Sequence, residues 1–170
     1  LRREGARRNF DVRTVDALLT FEGSLISSSR VRQGLDAGDF YDVNGCLGRR
    51  HGLNGVVVQG DQRGRTIGFP TANLAVWDEL LLPANGVYAA YAWVGGRRYV
   101  AAANVGVRPT VNGRDRTVEA YLLDFDEEIY GQTLRLKFER RIRPEQRFSG
   151  LDALRAQIQK DVDEVRESLL

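Results

Sequence analysis

The stretch Gly86–Val105, which reads GVYAAYAWVGGRRYVAAANV, decides the fold. Two apolar runs flank Gly95-Gly96, and a pair of glycines permits positive φ at both central positions of a tight turn. This pattern predicts an antiparallel hairpin in which Gly86–Val94 pairs with Arg97–Val105.

Three further segments have the same β character. Leu53–Gln59 contains three consecutive valines, and both Thr117–Asp124 and Thr133–Arg141 can place apolar side chains on one face of a strand. Short strands at close spacing, with no helices between them, predict a closed antiparallel barrel rather than alternating strands and helices.

The two ends of the chain are predicted to be helical. In the last twenty residues apolar side chains recur at spacings of three and four, which indicates an amphipathic helix, with Ser149 and Asp152 as a capping pair. Among the first fifty residues, Ser29 is expected to cap a helix over Arg30–Ala37, and a second short helix is expected over Asp39–Leu47.

The composition is typical of a soluble globular protein, with 42% hydrophobic and 28% charged residues and a formal net charge of +2. No run approaches the roughly 18 apolar residues of a membrane-spanning helix, and so small a charge predicts no nucleic-acid partner. The single cysteine, Cys46, excludes an internal disulfide and suits a reducing, cytoplasmic location. Because the sequence begins at Leu1 and lacks methionine, we expect a piece of a longer protein.

A glycine-rich segment over residues 60–73, GDQRGRTIGFPTAN, directly follows the first predicted strand. Glycines let the backbone approach a ligand closely, and successive N–H groups can converge on an anion. Arg63 and Arg65 can add charge-assisted contacts to phosphate. The Gly-Lys-Ser/Thr of a P-loop is missing, and glycines beside a strand also occur in plain turns.

The end of this segment, Pro70-Thr71-Ala72-Asn73, places a hydroxyl and a carboxamide two residues apart. In an extended chain such residues point the same way, so Thr71 and Asn73 would present two neutral oxygens to one point. These ligands suit Mg²⁺, which takes its remaining ligands from water and nucleotide phosphates. Taken alone, the tetrapeptide also fits an Asx-type turn.

Together these segments resemble the riboflavin kinase family. Residues 60–74 resemble its signature, and the rest of residues 53–170 follows in order: Gly86-Val87-Tyr88, Asn104–Thr110, Val118–Leu122, Tyr130-Gly131 and Arg143–Phe148. The resemblance implies that residues 51–170 form a six-stranded antiparallel closed barrel with a C-terminal α-helix. It also implies Mg²⁺-dependent transfer of the γ-phosphate of ATP to the ribityl 5′-hydroxyl of riboflavin, which makes FMN.

The same resemblance implies roles for individual residues. Glu119 would be the general base, and Thr71 and Asn73 would bind Mg²⁺. Residues around ATP would be Gly60, Gly64, Arg65, Gly68, Leu122, Asp124 and Tyr130, and residues beside the flavin would be Arg143 and Phe148. A carboxylate base is chemically reasonable because a primary alcohol is a poor nucleophile, although a glutamate in an alternating strand often only faces solvent.

Residues 1–50 carry a second resemblance. Leu25–Arg32 is similar to the phosphate-binding motif near the end of the nucleotidyltransferase domain in bifunctional bacterial FAD synthetases, with Ser28 and Arg32 as the phosphate ligands. This implies a helical remnant of an α/β FMN adenylyltransferase domain followed by a linker. A serine-rich helix cap is the alternative. Because His51 is the single histidine, no His-x-x-His motif exists, and we expect a loop position for His51 and no FAD synthesis by this chain.

Two other classes of function stay open. A non-catalytic barrel that binds flavin or nucleotide is one, although the presence of Thr71, Asn73 and Glu119 counts against it. A nucleic-acid-binding barrel could stack bases on aromatic residues of the central hairpin, but the charge of residues 51–170 is balanced. The expected partners are therefore ATP and riboflavin, with self-association through the parent protein as a further expectation, and neither nucleic acid nor membrane.

Overall fold

The computed structural model is a closed antiparallel barrel with the strand order β1-β2-β5-β4-β3-β6, and helices accompany it. It describes residues 1–110 and 113–170, without the side chains of residue 63 and residues 109–115. The strands are β1 (Gly52–Val58), β2 (Ala72–Ala75), β3 (Gly86–Val94), β4 (Arg97–Thr110), β5 (Gly113–Leu122) and β6 (Thr133–Pro144). The helices are α1 (Arg2–Arg8), α2 (Ser28–Ala37), α3 (Phe40–Leu47), α4 (Arg63–Thr66) and α5 (Leu151–Leu169). The predicted barrel and its C-terminal helix are confirmed.

The predicted glycine turn closes the central hairpin. Gly95 and Gly96 have φ values of 57° and 77°, in the left-handed region that residues with a Cβ rarely adopt. Strands β3 and β4 then pair continuously, from Gly86 opposite Val105 to the residues beside the turn. Strand β6 pairs with the other edge of β3 and also with β1, which closes the barrel.

Side-chain alternation in the strands separates two apolar clusters. Val118 and Ala120 of β5 face the barrel interior, where the buried residues of the other strands surround them. Outside the barrel lies a second apolar cluster, in which Phe69 and Leu123, the residue that follows β5, pack with Val165 of α5. Helix α5 therefore covers the outside of the barrel with the later part of its apolar stripe, namely Ile158, Val162, Val165 and Leu169. Among helices within residues 1–110 and 113–170, none is long and apolar enough to cross a membrane.

Two predicted helix caps are wrong. Ser27, rather than Ser29, caps α2, and its Oγ accepts a hydrogen bond of 3.2 Å from the Arg30 N–H. Ser27 is the last extended residue before the helix, and only such a residue can turn its side chain back onto the first turn. Helix α5 begins after Gly150 without a side-chain cap, so the predicted cap from Ser149 does not form.

Helices α2 and α3 cover one end of the barrel. Phe40 is 1% exposed and packs its ring against Phe138 and Tyr88, at centroid distances of 5.1 and 5.3 Å. Leu35 and Val43 belong to the same buried cluster as the barrel interior. The predicted boundary between residues 50 and 51 thus falls within a continuous core, and we propose that residues 27–170 fold as one unit.

Hydrogen bonds reinforce this packing where the helices join the first strand. Asn44 donates from Nδ2 to the carbonyl oxygen of Phe138 (3.2 Å) and accepts from the His51 N–H (2.7 Å). The His51 ring lies 6.1 Å from the ring of Phe40 and 6.4 Å from that of Phe138. Burial, together with the nearby charge of Arg49, lowers the pKa of His51.

Replacing Phe40 by alanine should lower the free energy of unfolding by about 3–5 kcal/mol, because it leaves a cavity where the helices meet the barrel. Denaturant unfolding followed by circular dichroism measures the change. Tyr41→Ala is the matched control, since this neighbouring side chain is 79% exposed and should cost no more than about 1 kcal/mol. Equal losses in the two variants would contradict the shared core.

Protonation of His51 should destabilise the fold, because its pKa is lower in the folded protein than in the unfolded chain. Stability should therefore fall as the pH drops below the ordinary histidine value of 6.5, and the loss should level off below the folded pKa. Melting temperatures measured from about pH 8 to about pH 5 test this. Subtracting the profile of His51→Gln should isolate the effect, and parallel profiles would refute it.

Candidate active site

Two cavities open beside the glycine-rich loop and share part of their lining. The larger has a volume of about 960 Å³ and lies between strands β4 and β5, residues 143–148 and the first half of α5. The smaller, of about 380 Å³, lies between the loop and residues 125–130. Gln62 and Thr71 line both cavities, so the two spaces meet at these side chains.

Glu119 lies in β5 with its half-buried side chain lining the larger cavity. Pairing places Asn73 of β2 opposite it on one side and Asn104 of β4 opposite it on the other. Thr71 donates a hydrogen bond of 3.1 Å from its Oγ1 to Oε2 of Glu119. A carboxylate and three neutral polar side chains are therefore assembled around the junction of the cavities.

Glycines allow the loop to pack tightly over this group. A Cβ on Gly60 would lie 2.4 Å from the side-chain Cγ of Asn73, and one on Gly64 would lie 2.2 Å from the carbonyl oxygen of Phe69. Gly68 has a φ of +88°, which favours glycine. The close approach explains why the segment that carries Thr71 and Asn73 follows a glycine-rich loop.

The smaller cavity combines apolar walls with a charged rim. Leu122, Phe125 and Ile129 supply apolar surface, and Arg65, Tyr130 and the acidic residues 126–128 are also part of the lining. The smaller cavity thus brings together three residues that were predicted to surround a nucleotide: Arg65, Leu122 and Tyr130. Gly64, also predicted to lie near the nucleotide, lines the larger cavity instead. The side chain of Arg63, which was expected to contact phosphate, lies outside the described part of the chain.

Asp124, also predicted to border the nucleotide, lines neither cavity. Its backbone is left-handed, with a φ of 55°, and its carboxylate accepts two hydrogen bonds of 2.7 and 2.9 Å from Arg166. Hydrogen bonding to Arg166 lowers the pKa of Asp124. The backbone conformation turns this side chain towards α5.

Arg143 and Phe148, the residues predicted to lie beside the flavin, both line the larger cavity. The guanidinium of Arg143 lies 5.7 Å from the centre of the Phe148 ring. Two hydrogen bonds, from Nε (2.8 Å) and Nη2 (2.7 Å), join Arg143 to opposite oxygens of Asp161. Gln157 donates a further hydrogen bond of 2.9 Å to Asp161, which is only 4% exposed.

Asp161 was missed by the sequence analysis, although a signal was available. It lies three residues after Ile158 and four before Val165, so it interrupts the buried stripe of α5 with a charge. A buried carboxylate needs a partner, and here the partner is Arg143. Asn104 and Gln62 were also missed, because their side chains reach the site only through strand pairing and loop folding.

The two residues predicted to form a remnant phosphate site remain apart from these cavities. Ser28 and Arg32 lie on α2, and neither lines the larger or the smaller space. Within residues 1–110 and 113–170, no group of three or more His, Cys, Asp or Glu side chains is arranged to hold a metal ion.

Comparison with known proteins links this geometry to a family. The Flavokinase family model, described as riboflavin kinase, matches residues 47–169. The bifunctional riboflavin kinase/FMN adenylyltransferase of Bacillus subtilis (strain 168) is 40% identical over 149 residues, which are 86% of this chain and 47% of that protein. The protein of the same name from Escherichia coli (strain K12) is 38% identical over 169 residues, which are 98% of this chain and 53% of that protein.

Solved structures agree with the fold. A structure described as a macrolide-efflux protein from Streptococcus pneumoniae has a TM-score of 0.85 and 34% identity, over 96% of this chain and 54% of that one. Riboflavin kinase from Trypanosoma brucei has a TM-score of 0.53 and 31% identity, over 69% of this chain and 78% of that one. The chain spans about half the length of the curated relatives it matches. From the matched family model and these relatives, we conclude that the chain belongs to the riboflavin kinase family.

Proposed function

We propose that the chain transfers the γ-phosphate of ATP to the 5′-hydroxyl of riboflavin, giving FMN and ADP. One observation carries the proposal: the hydrogen-bonded pair of Thr71 and Glu119 lies where the two cavities meet. A phosphoryl group that arrives from one cavity and an alcohol that arrives from the other would come together beside a carboxylate. Membership of the riboflavin kinase family supports the choice of substrates.

The linings of the two cavities favour one assignment of substrates. The apolar walls of the smaller cavity suit a planar base, and its opening towards the glycine-rich loop would bring the phosphates to Arg65 and the loop N–H groups. The larger cavity has room for a tricyclic ring system and offers Phe148 and Ile158 as apolar contacts. Its volume of about 960 Å³ is at the upper end of ordinary ligand sites.

Glu119 would act as the general base. It would accept the proton of the 5′-hydroxyl while the alcohol oxygen bonds to the γ-phosphorus and the bond to the leaving ADP oxygen breaks. The hydrogen bond from Thr71 occupies Oε2 of Glu119 and leaves Oε1 available for that proton. Alignment of the two substrates and stabilisation of phosphoryl charge should supply the larger share of catalysis.

Mg²⁺ fits the polar side chains at the junction. Thr71 and Asn73 offer neutral oxygens, and the Thr71 hydroxyl already directs its hydrogen to Glu119, so its lone pairs can face a cation. Two protein oxygens match an ion that keeps most of its ligands as water and phosphate. When bound, the metal would neutralise charge on the transferred phosphoryl group.

The activity of the whole protein is a wider proposal. The curated relatives are named as bifunctional riboflavin kinase/FMN adenylyltransferases, and we infer that the parent of this chain also converts FMN to FAD, in the cytoplasm. Self-association would then be a property of that parent.

The alternative of nucleic-acid binding is not favoured, because the aromatic residues of the central hairpin are not free to stack on bases. Tyr88 is fully buried, and the guanidinium groups of Arg50 and Arg98 lie 5.0 and 5.1 Å from the centre of the Tyr91 ring.

Glu119→Gln should lower the rate of FMN formation by about 10²–10⁴-fold, because the amide cannot accept the hydroxyl proton. Chromatographic detection of FMN from riboflavin and Mg-ATP measures the rate, and calorimetry should show that both substrates still bind. Glu167→Gln is the control, since this exposed glutamate of α5 lines neither cavity.

The outcomes of this experiment separate the alternatives. Full activity in Glu119→Gln would keep the kinase and reject the base. A folded, unmodified chain that binds both substrates but forms no FMN would instead favour the non-catalytic binding module.

Asp161→Asn should raise the KM for riboflavin about tenfold, because Arg143 loses the charge that fixes it beside the larger cavity. The KM for ATP should change by less than about twofold. Asp163→Asn is the matched control, because this exposed aspartate lies on the same helix, accepts a hydrogen bond from Gln159 and lines neither cavity. Equal increases in both KM values would show that Asp161 stabilises the barrel in general rather than the flavin site.

A further inference from the structure

The loop between β5 and β6 forms one wall of the smaller cavity. Residues 125–130 all contribute to the lining, including Phe125, Ile129 and Tyr130. Residues 126–128 of the loop are acidic and exposed, so apolar packing does not hold that part of it. Ile129 lies in the core cluster and the ring of Phe125 packs on that of Tyr99 at 4.9 Å, so the shape of the loop depends on these contacts and on how its two ends are held.

The end of this loop next to β6 is held by the barrel backbone. The Gly131 N–H donates to the carbonyl oxygen of Val57 (2.9 Å), and the Val57 N–H donates to the carbonyl oxygen of Gln132 (2.9 Å). These paired hydrogen bonds extend the ladder of β1. The side chain of Ile129, which is buried in the core cluster, also fixes this end.

The other end is held differently. The Leu123 N–H still donates to the carbonyl oxygen of Val100 (2.9 Å), and Asp124 then turns the chain with a φ of 55°. From that turn the Asp124 carboxylate forms a two-point ion pair with Arg166, in the last turn of α5. The ion pair thus ties the start of the nucleotide-facing loop to the C-terminal helix.

We propose that Arg166, acting through Asp124, is a positioning residue for the nucleotide. It holds residues 124–130 in the arrangement that receives the nucleoside of ATP. The inference rests on the proposed function, since it takes the smaller cavity as the nucleotide site. It also gives Asp124 a role other than the direct contact predicted from the sequence.

The Asp124–Arg166 ion pair is exposed, so its loss should affect the nucleotide site more than the stability of the whole fold. The side chains of Arg166 and Asp124 are 45% and 68% exposed, so the pair should contribute little to global stability. Asp161, five residues earlier on the same helix, contacts the flavin-side Arg143 instead. Loss of the Asp124–Arg166 pair and loss of the Arg143–Asp161 pair should therefore affect different substrates.

The test compares Arg166→Gln, Asp124→Asn and the double variant with the unmodified chain in steady-state assays of FMN formation. Each single variant should raise the KM for ATP about two- to fivefold, with the KM for riboflavin and kcat nearly unchanged. The double variant should be no worse than either single one, because both remove the same interaction. Arg166→Lys should restore part of the affinity, and about 0.5 M salt should shrink the difference from the unmodified chain.

Glu164→Gln is the matched control. It breaks another exposed ion pair of α5, that with Arg140 (3.0 Å), whose residues line neither cavity. Unchanged KM for ATP in Arg166→Gln, a parallel rise in both KM values, or the same effect in Glu164→Gln would overturn the inference. If the unmodified chain formed no FMN in the same assay, the proposed function would fail first, and this inference with it.

Discussion

The site depends on the pairing of the short strand β2 with β5. In this pairing Ala72, Asn73 and Leu74 of β2 lie opposite Ala120, Glu119 and Val118 of β5. The short pairing joins β1 and β2 to the strands β5, β4 and β3 and sets Asn73 opposite Glu119. Because side chains alternate between the faces of a strand, a slip of one residue would turn Glu119 into the apolar interior. The burial of Val118 and Ala120 resists that slip, so the hydrophobic core fixes the position of the carboxylate.

Thr71 combines two tasks at the junction of the cavities. Its hydroxyl hydrogen is directed to Glu119, and its lone pairs remain available for a cation. A metal bound there would therefore act on the same hydroxyl that orients the base. The glycines of the preceding loop matter because a side chain at Gly60 or Gly64 would force the segment that carries Thr71 away from the strand.

Sequence periodicity and turn chemistry predicted a closed barrel from five strand segments. The short strand β2 has no such pattern, and a sixth strand was implied only by the resemblance to riboflavin kinases. Periodicity and turn chemistry were also insufficient for contacts between residues far apart in the chain. Asp161 was visible as a charge in an apolar stripe, but its partner Arg143 belongs to a strand whose register no local pattern reveals. Three consecutive serines offered equivalent helix caps, and only backbone geometry selected Ser27.

The resemblance to riboflavin kinases located the candidate site more fully than the residue patterns did. It pointed to Arg65, Leu122 and Tyr130, which the fold brings to one cavity. It also pointed to Asp124, whose left-handed backbone directs the side chain elsewhere. A family motif specifies a position along the chain, whereas the direction of the side chain depends on local φ and ψ.

Phe40 fills one end of the barrel, so the hydrophobic core continues across residue 50, where the sequence changes from helical to β character. A recombinant swap made at that point would divide a single hydrophobic core between two products and leave each with an exposed apolar surface. A segment that keeps this core in one piece would begin near Ser27, ahead of the two helices that close the barrel.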